Sequence, residues 1–348
     1  MDKYHSQKIR ILNFISILAV VFWHAYLAPT PAREFSGFYL FQNLITSAFL
    51  RFSIPMFFAI SGYLFFFKPF HYWRQVQKRI KTLLLPYLIW SLLGTLLIYG
   101  LLLLPVTRNI INMQWEFNIS HFLRHITIEP VQYQFWFLRD LMILAVFSPV
   151  IFFMSKKLPV LWVTMLTIIW FLVGDRSYIV RVESLLFFLL GAILAIRGGI
   201  SWPKKNKNLL LILSGTLWLT ISLYYGYSIT KQCFPEIIPP NIWYGLSKLT
   251  GLAFIWIVYD VKKVNKFLNH HLAPKVLNGT FFLFCFHEPL LTIFEKLSLQ
   301  IIIDYNVFSY FFYFFNPLLS ITVSFFVYRV LSKHTPGILK ALTGNRTN

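Results

Sequence analysis

Seven ionisable side chains stand out inside otherwise apolar stretches of this sequence: His24, Arg51, Asp140, Glu183, Lys248, His287 and Glu288. Each costs about 2.5–3.5 kcal/mol to insert into hydrocarbon, so each calls for a reason to be there. Histidine has an unperturbed pKa of about 6.5 and suits proton transfer at neutral pH. His24 is the only such group in its apolar run beyond a basic entrance. At a rise of about 1.5 Å per residue it lies roughly 22 Å up that run. Arg51, Asp140 and Glu183 come out at about 21–24 Å, and Lys248, His287 and Glu288 at about 17–18 Å. Seven groups in one layer suggest a buried, partly hydrated pocket in the outer half of a bilayer. The bland alternative is a set of ion pairs, such as Arg51 with Asp140 or Lys248 with Glu288, that lock helices together. Buried ion pairs are poor stabilisers beside apolar packing, which weighs against that reading for the whole layer.

A second pattern lies along the first run. Asn13 and His24 are eleven residues apart, which brings them within roughly 20° of each other on one helix face. Arg10 falls on nearly the same stripe. Polar groups thus line one face from the basic entrance upward, as an extended donor arm would require, although Asn13 also reads as a packing amide. Other constellations carry less. His121 and His125 have the i, i+4 spacing of a metal site, but no third ligand completes it, and an interfacial helix explains them better. No metal is expected. Arg74, Lys78, Arg79 and Lys81 anchor a helix at the membrane surface, and they also offer a phosphate-binding patch.

The elements that must position these residues follow from composition. Hydrophobic residues make up 57% of the 348 and charged residues 13%, against about 25% charged in soluble domains. A soluble protein has no place to bury so much apolar surface. The reading is an all-α polytopic bundle with the lipid bilayer as its solvent, in one domain over residues 1–348. Runs near 9–28, 44–67, 83–104, 136–155, 158–174, 179–197, 208–228, 242–260, 276–296 and 307–331 give about ten transmembrane helices. The longer connections are 29–43, 105–135 and 226–241. Alternate loops carry 22 of the 32 Lys and Arg residues, which puts both termini in the cytoplasm. The first run lacks a small-residue cleavage site and is expected to be retained. A net charge of +20 raises nucleic acid as a partner, but the basic residues sit in short clusters between apolar runs, and that partner is excluded. Cys233 and Cys285 make no disulfide framework and no zinc site.

Several segments together resemble the acyltransferase-3 family of bacterial integral-membrane acyltransferases, which O-acetylate surface polysaccharides, lipopolysaccharide and peptidoglycan. Residues 11–24 (ILNFISILAVVFWH) are similar to the family's first helix with its functional histidine. Residues 51–65 (RFSIPMFFAISGYLF), 78–92 (KRIKTLLLPYLIWSL) and 135–149 (FWFLRDLMILAVFSP) resemble later signatures, as do 186–194 (LFFLLGAIL) and 281–291 (FFLFCFHEPLL). Two positions depart from the pattern. Asn13 stands where family members usually carry an arginine, and Thr82 ends what is commonly an Arg-x-x-Arg motif, here Arg79-Ile80-Lys81-Thr82. Neither side chain supplies a guanidinium charge.

The resemblance implies an O-acyltransferase in the bacterial cytoplasmic membrane. It would move an acyl group, most simply acetyl, from cytoplasmic acetyl-CoA to a hydroxyl of an extracytoplasmic polysaccharide or glycolipid. His24 would serve as general base or as transient acyl carrier. Asp140 or Glu288 would orient the imidazole, and Arg51 would stabilise the oxyanion. Arg79 and Lys81 would hold CoA phosphates, with Arg10, Asn13, Trp136 and His287 as further substrate or donor contacts. A transporter or flippase for a lipid-linked glycan is the rival use of the same polar layer.

Overall fold

The computed structural model describes residues 1–27, 37–103, 118–174, 179–198, 206–301 and 307–346. Parts of the expected connections 29–43 and 105–135, with Lys204, Lys205 and Asn348, lie outside them. Among the described residues every regular element is a helix, as apolar surroundings require when each backbone N–H must find a partner within its own segment. In chain order they are α1 (Lys3–His24), α2 (Gly37–Phe66), α3 (Tyr72–Leu102), α4 (Ile119–Thr127), α5 (Trp136–Val146), α6 (Ser148–Lys156), α7 (Pro159–Val173) and α8 (Val182–Ile196). Then follow α9 (Lys207–Lys231), α10 (Pro240–Val258), α11 (Lys262–His271), α12 (Pro274–Asn278), α13 (Thr280–Ile301), α14 (Val307–His334) and α15 (Pro336–Thr343).

Five of these helices are long and apolar enough to cross a membrane, and up to seven spans result if each of two bent pairs counts as one. The expected run 136–155 is two helices, α5 and α6, bent by 69°. The break falls at Phe147, two residues before Pro149, which has no N–H to continue the α5 ladder. α10 and α11 bend by 81°. α7 and α8, at 15 residues each, are shorter than the runs that announced them. The expected helix at 276–296 is α13, interrupted where Glu288 takes an extended conformation (φ −108°, ψ 139°) ahead of Pro289.

The chain divides into two units, Met1–Gln75 with Ile143–Leu277, and Val76–Met142 with Asn278–Asn348. In the first, Asp2 caps α1 by accepting from the His5 N–H at 2.8 Å. Lys8, buried in α1, donates to Asp260 at 2.8 Å and lies 4.2 Å from the Trp256 ring centre. At the other end of α1 the buried amide of Gln42 bonds both backbone groups of Leu27, at 2.9 and 3.0 Å. That double bond ties down the chain three residues beyond His24.

α2 and α8 pack backbone to backbone, which only small residues permit. A Cβ on Gly62 would fall 2.0 Å from the Phe188 carbonyl oxygen, and one on Gly191 would fall 2.0 Å from that of Ala59. α9, by contrast, leaves Leu209, Ile212 and Leu217 exposed, as a lipid-facing helix does.

In the second unit the indole N–H of Trp90 in α3 donates to the Leu342 carbonyl of α15 at 3.0 Å, and Gln132 donates to the Trp90 carbonyl at 2.7 Å. Tyr87 donates to the Thr127 carbonyl at 2.9 Å, tying α4 to α3. Ser298 in α13 meets Asn316 in α14 at 3.0 Å.

The glycine contacts make a direct test. Gly62→Ala or Gly191→Ala should cost about 1–3 kcal/mol of stability, because a backbone carbonyl has to move. Gly100→Ala, whose added Cβ meets nothing within 4 Å, should be neutral or slightly stabilising. Thermal melts of the three variants in detergent check this; equal melting of Gly62→Ala and wild type would contradict the α2–α8 contact.

Candidate functional site

The seven residues divide between the units. His24, Arg51, Glu183 and Lys248 belong to the first, and Asp140, His287 and Glu288 to the second. In the first unit they form a connected arrangement of cations and aromatic rings.

His24 is buried at the last residue of α1, where the helix gives way at Ala25. Its imidazole stacks on the neighbouring Trp23 indole, with ring centres 4.8 Å apart and planes 17° apart. The Arg51 guanidinium lies 3.8 Å from the centre of the same indole and 5.8 Å from that of Tyr244. Its Nε donates to the Thr46 carbonyl at 2.9 Å. That carbonyl turns toward it because residues Asn43–Ala48 wind as a π-helical turn, followed by a 3₁₀ turn over Phe49–Phe52. Lys248 continues the series: its Nζ is 3.8 Å from the Tyr244 ring centre, 5.7 Å from that of Trp170, and 2.9 Å from Glu183 Oε2. Lys248 and Glu183 are both fully buried, and each therefore depends on the other for charge. Trp23 thus brings two of the expected site residues, His24 and Arg51, to one side chain.

Arg10 and Asn13 are half-buried on α1, and His24, the third residue of the expected stripe, is buried.

In the second unit Glu288 is the most elaborately held group. Its carboxylate accepts from the Tyr133 hydroxyl at 3.1 Å and from the Thr292 hydroxyl at 2.7 Å. Glu295 lies seven residues further along α13, and both carboxylates are within electrostatic reach of Tyr133. His287 Nδ1 sits 3.1 Å from the Leu283 carbonyl oxygen and the residue is fully buried. Asp140 is fully buried beside Arg139, at 3.7 Å. Trp136 opens α5, directly after a 3₁₀ turn over Tyr133–Phe135. Arg79 is half-buried and Lys81 exposed, at the start of a π-helical turn over Ile80–Leu84. The His121–His125 pair lies on α4, where His125 contacts the Glu129 carbonyl at 3.0 Å. Among the described residues no three His, Cys, Asp or Glu side chains converge on a metal position.

Sequence reasoning passed over Trp23, Tyr244, Tyr133 and Glu295. Glu295 had a usable signal, since seven residues is two helical turns from Glu288. The aromatic residues had none, because Phe, Tyr and Trp are 19% of the chain and nothing in their spacing marks these three.

Chemically, the first-unit arrangement offers an imidazole that can exchange a proton and a guanidinium held within reach of the same indole. The second offers a carboxylate with two hydroxyl donors. The model of the family described as acyltransferase domain matches residues 7–329 of this chain. A curated relative, the succinoglycan biosynthesis protein ExoH of Rhizobium meliloti (strain 1021), is 26% identical over 367 aligned positions, covering 100% of this chain and 94% of that protein. No solved structure matches.

The buried ion pair supplies the prediction here. Lys248→Met alone should cost about 3–5 kcal/mol by stranding Glu183. Adding Glu183→Gln to it should recover most of that loss. Melting curves of the single and double variants measure this, and a double variant no better than the single would mean the two charges are not coupled.

Proposed function

This chain belongs to the acyltransferase-3 family and is a multi-pass membrane O-acyltransferase, and from that premise we propose that it acetylates a hydroxyl of an extracytoplasmic polysaccharide or glycolipid, with cytoplasmic acetyl-CoA as donor. The observation that carries the reading is the buried His24 stacked on Trp23, with the Arg51 guanidinium over the same indole. His24 takes the proton of the acceptor hydroxyl as the oxygen attacks the thioester carbonyl. Arg51 stabilises the oxyanion that forms. The thiolate of CoA leaves, and the imidazolium returns its proton to the departing sulfur. Alternatively the imidazole carries the acetyl group between donor and acceptor, which again starts from a neutral ring.

The remaining parts of the proposal follow the same frame. Asp140 and Glu288 are the carboxylates assigned to the chemistry. Arg79 and Lys81 hold donor phosphates, and Arg10 and Asn13 flank the path of the donor along α1. Trp136 and His287 are further substrate contacts. The chain forms one acyltransferase domain of ten spans with both termini in the cytoplasm, in a bacterial cytoplasmic membrane, and the alternation of basic loops supports that orientation. The curated relative's name, in succinoglycan biosynthesis, supports a polysaccharide acceptor.

Inverted membrane vesicles with radiolabelled acetyl-CoA test the activity itself: label should appear in glycan. Glycan movement without acetyl-CoA would favour export instead. His24→Ala should lower turnover by about 10²–10⁴-fold per folded molecule, the usual span for a positioned acid–base group. His24→Gln, which cannot titrate between about pH 5 and 8, should do the same. A glutamine variant of near wild-type turnover would remove His24 from the chemistry. On the donor side, removing the charges of Arg79 and Lys81 together should raise the apparent KM for acetyl-CoA while the protein still inserts, and an unchanged KM would leave both as membrane anchors.

A further inference from the structure

The C-terminal tail reaches the segment of α3 that carries Arg79 and Lys81. α15 is fastened to α3 by the Trp90 to Leu342 hydrogen bond at 3.0 Å. The helix then stops at Gly344, which adopts the left-handed φ of +60°, and the Asn345 N–H bonds back to the Lys340 carbonyl at 2.9 Å. Gly344 lies directly against Thr82. A Cβ there would fall 2.7 Å from both the Thr82 Cα and its carbonyl oxygen, so no larger residue fits, whatever its backbone preference. Two residues on, the Arg346 guanidinium sits 3.8 Å from the centre of the Phe281 ring.

Its further charged or polar neighbours are the buried Cys285 and a like charge. Thr82, which Gly344 touches, lies one turn from Arg79, so the two arginines share this corner of the unit, and among the described residues Arg346 makes no ion pair. Burial, with Arg79 beside it, lowers Arg346 to about 10, so it stays charged at neutral pH. Two half-buried guanidinia held together are unfavourable alone and favourable around an anion with oxygens for both. A phosphate has the right geometry, since each planar fork can donate two hydrogen bonds to it. Thr82, where the family commonly places its second arginine, supplies no charge, and its hydroxyl is buried without a hydrogen bond among the described residues.

We propose that Arg346 supplies the second guanidinium of a phosphate site whose first is Arg79, entering from the C-terminal tail in place of the arginine that Thr82 replaces. The ligand is a phosphate of the CoA donor, so the proposal rests on the donor reading above. The tail is then part of the donor site, and truncating the chain before residue 346 removes a ligand contact while leaving the cap at Gly344 in place.

The test is equilibrium binding of radiolabelled CoA to the full chain in nanodiscs of zwitterionic lipid, with a thermal melt of each variant with and without CoA. Arg346→Gln should weaken CoA binding by about ten-fold or more, the span for losing a charged hydrogen bond. Arg346→Lys, which keeps the charge but not the fork, should lie between it and wild type. The melting temperature without CoA should not fall in Arg346→Gln, because relief of the Arg79 repulsion offsets the lost Phe281 contact. The stabilisation by CoA should shrink with affinity. Equal CoA affinity in wild type and both variants would overturn the proposal while leaving the donor reading intact. A lower melting temperature without CoA, in step with weaker binding, would make Arg346 a structural cap and overturn it as well. So would stabilisation by anionic lipid that depends on Arg346 with CoA binding unchanged, which assigns the site to a headgroup. A wild-type protein that binds no CoA would remove the donor reading itself, and this proposal with it.

Discussion

A lysine and a glutamate without access to solvent, 2.9 Å apart, set the terms for the first unit. Neither Lys248 nor Glu183 can stay charged in hydrocarbon alone, and the cost of stranding one is several times that of a lost surface pair. The pairing therefore fixes α8 against α10 at one register. Tyr244 lies four residues from Lys248, one turn away on α10, and its ring takes the lysine on one contact and Arg51 on another. Arg51 in turn reaches the Trp23 ring beside His24. The position of the imidazole is thus linked through rings and cations to a charge pair on two other helices.

Aromatic faces are an economical answer to cations within a membrane. Each ring presents negative charge on its face without an ionisable group of its own, so it stabilises a cation without a second desolvation cost. Arginine suits this use better than lysine because its flat, weakly hydrated guanidinium stacks while its N–H groups still donate. Arg51 does both: it lies over Trp23 and donates to the Thr46 carbonyl. Lys8 repeats the device near the other end of α1, between Trp256 and Asp260. A high content of aromatic residues in this chain is consistent with that chemistry as well as with the lipid around it.

How much of this was legible beforehand depends on what each signal averages over. Composition and the length of apolar runs identify a helical membrane protein, because burial of backbone polar groups leaves few alternatives. The motif order around His24, Arg51 and Phe135 to Asp140 was enough to point to the family. Hydropathy is blind to direction, however. A window of about 20 residues cannot see the 69° break between α5 and α6, or the interruption at Glu288, since bent and straight helices have the same mean. Charges in apolar runs located Lys248 and Glu183 in one layer but not as partners, because pairing is decided by helix rotation and packing. Arg346 stands in none of the motifs; its approach to the Arg79 segment depends on the turn at Gly344, which the sequence marks with a single glycine.

Several of the candidate residues stand at or beside a break in the regular helix. Arg51 lies in a 3₁₀ turn that follows a π-helical turn. Arg79 and Lys81 flank the start of another π-helical turn. Glu288 is itself the non-helical residue of α13, and His24 is the last residue of α1. Trp136 follows a 3₁₀ turn. Irregular backbone frees carbonyl and N–H groups, which lipid cannot satisfy, so at membrane depth it persists only against protein or beside water. π-Turns concentrate at functional sites in helical proteins for the same reason: they expose backbone groups and rotate side chains out of the regular register. Here the freed groups have identifiable uses, since the Thr46 carbonyl inside the first π-turn is the acceptor that holds Arg51. The irregular turns and the polar side chains are therefore one adaptation: a charge retained within a membrane helix needs a backbone that departs from the helix to hold it.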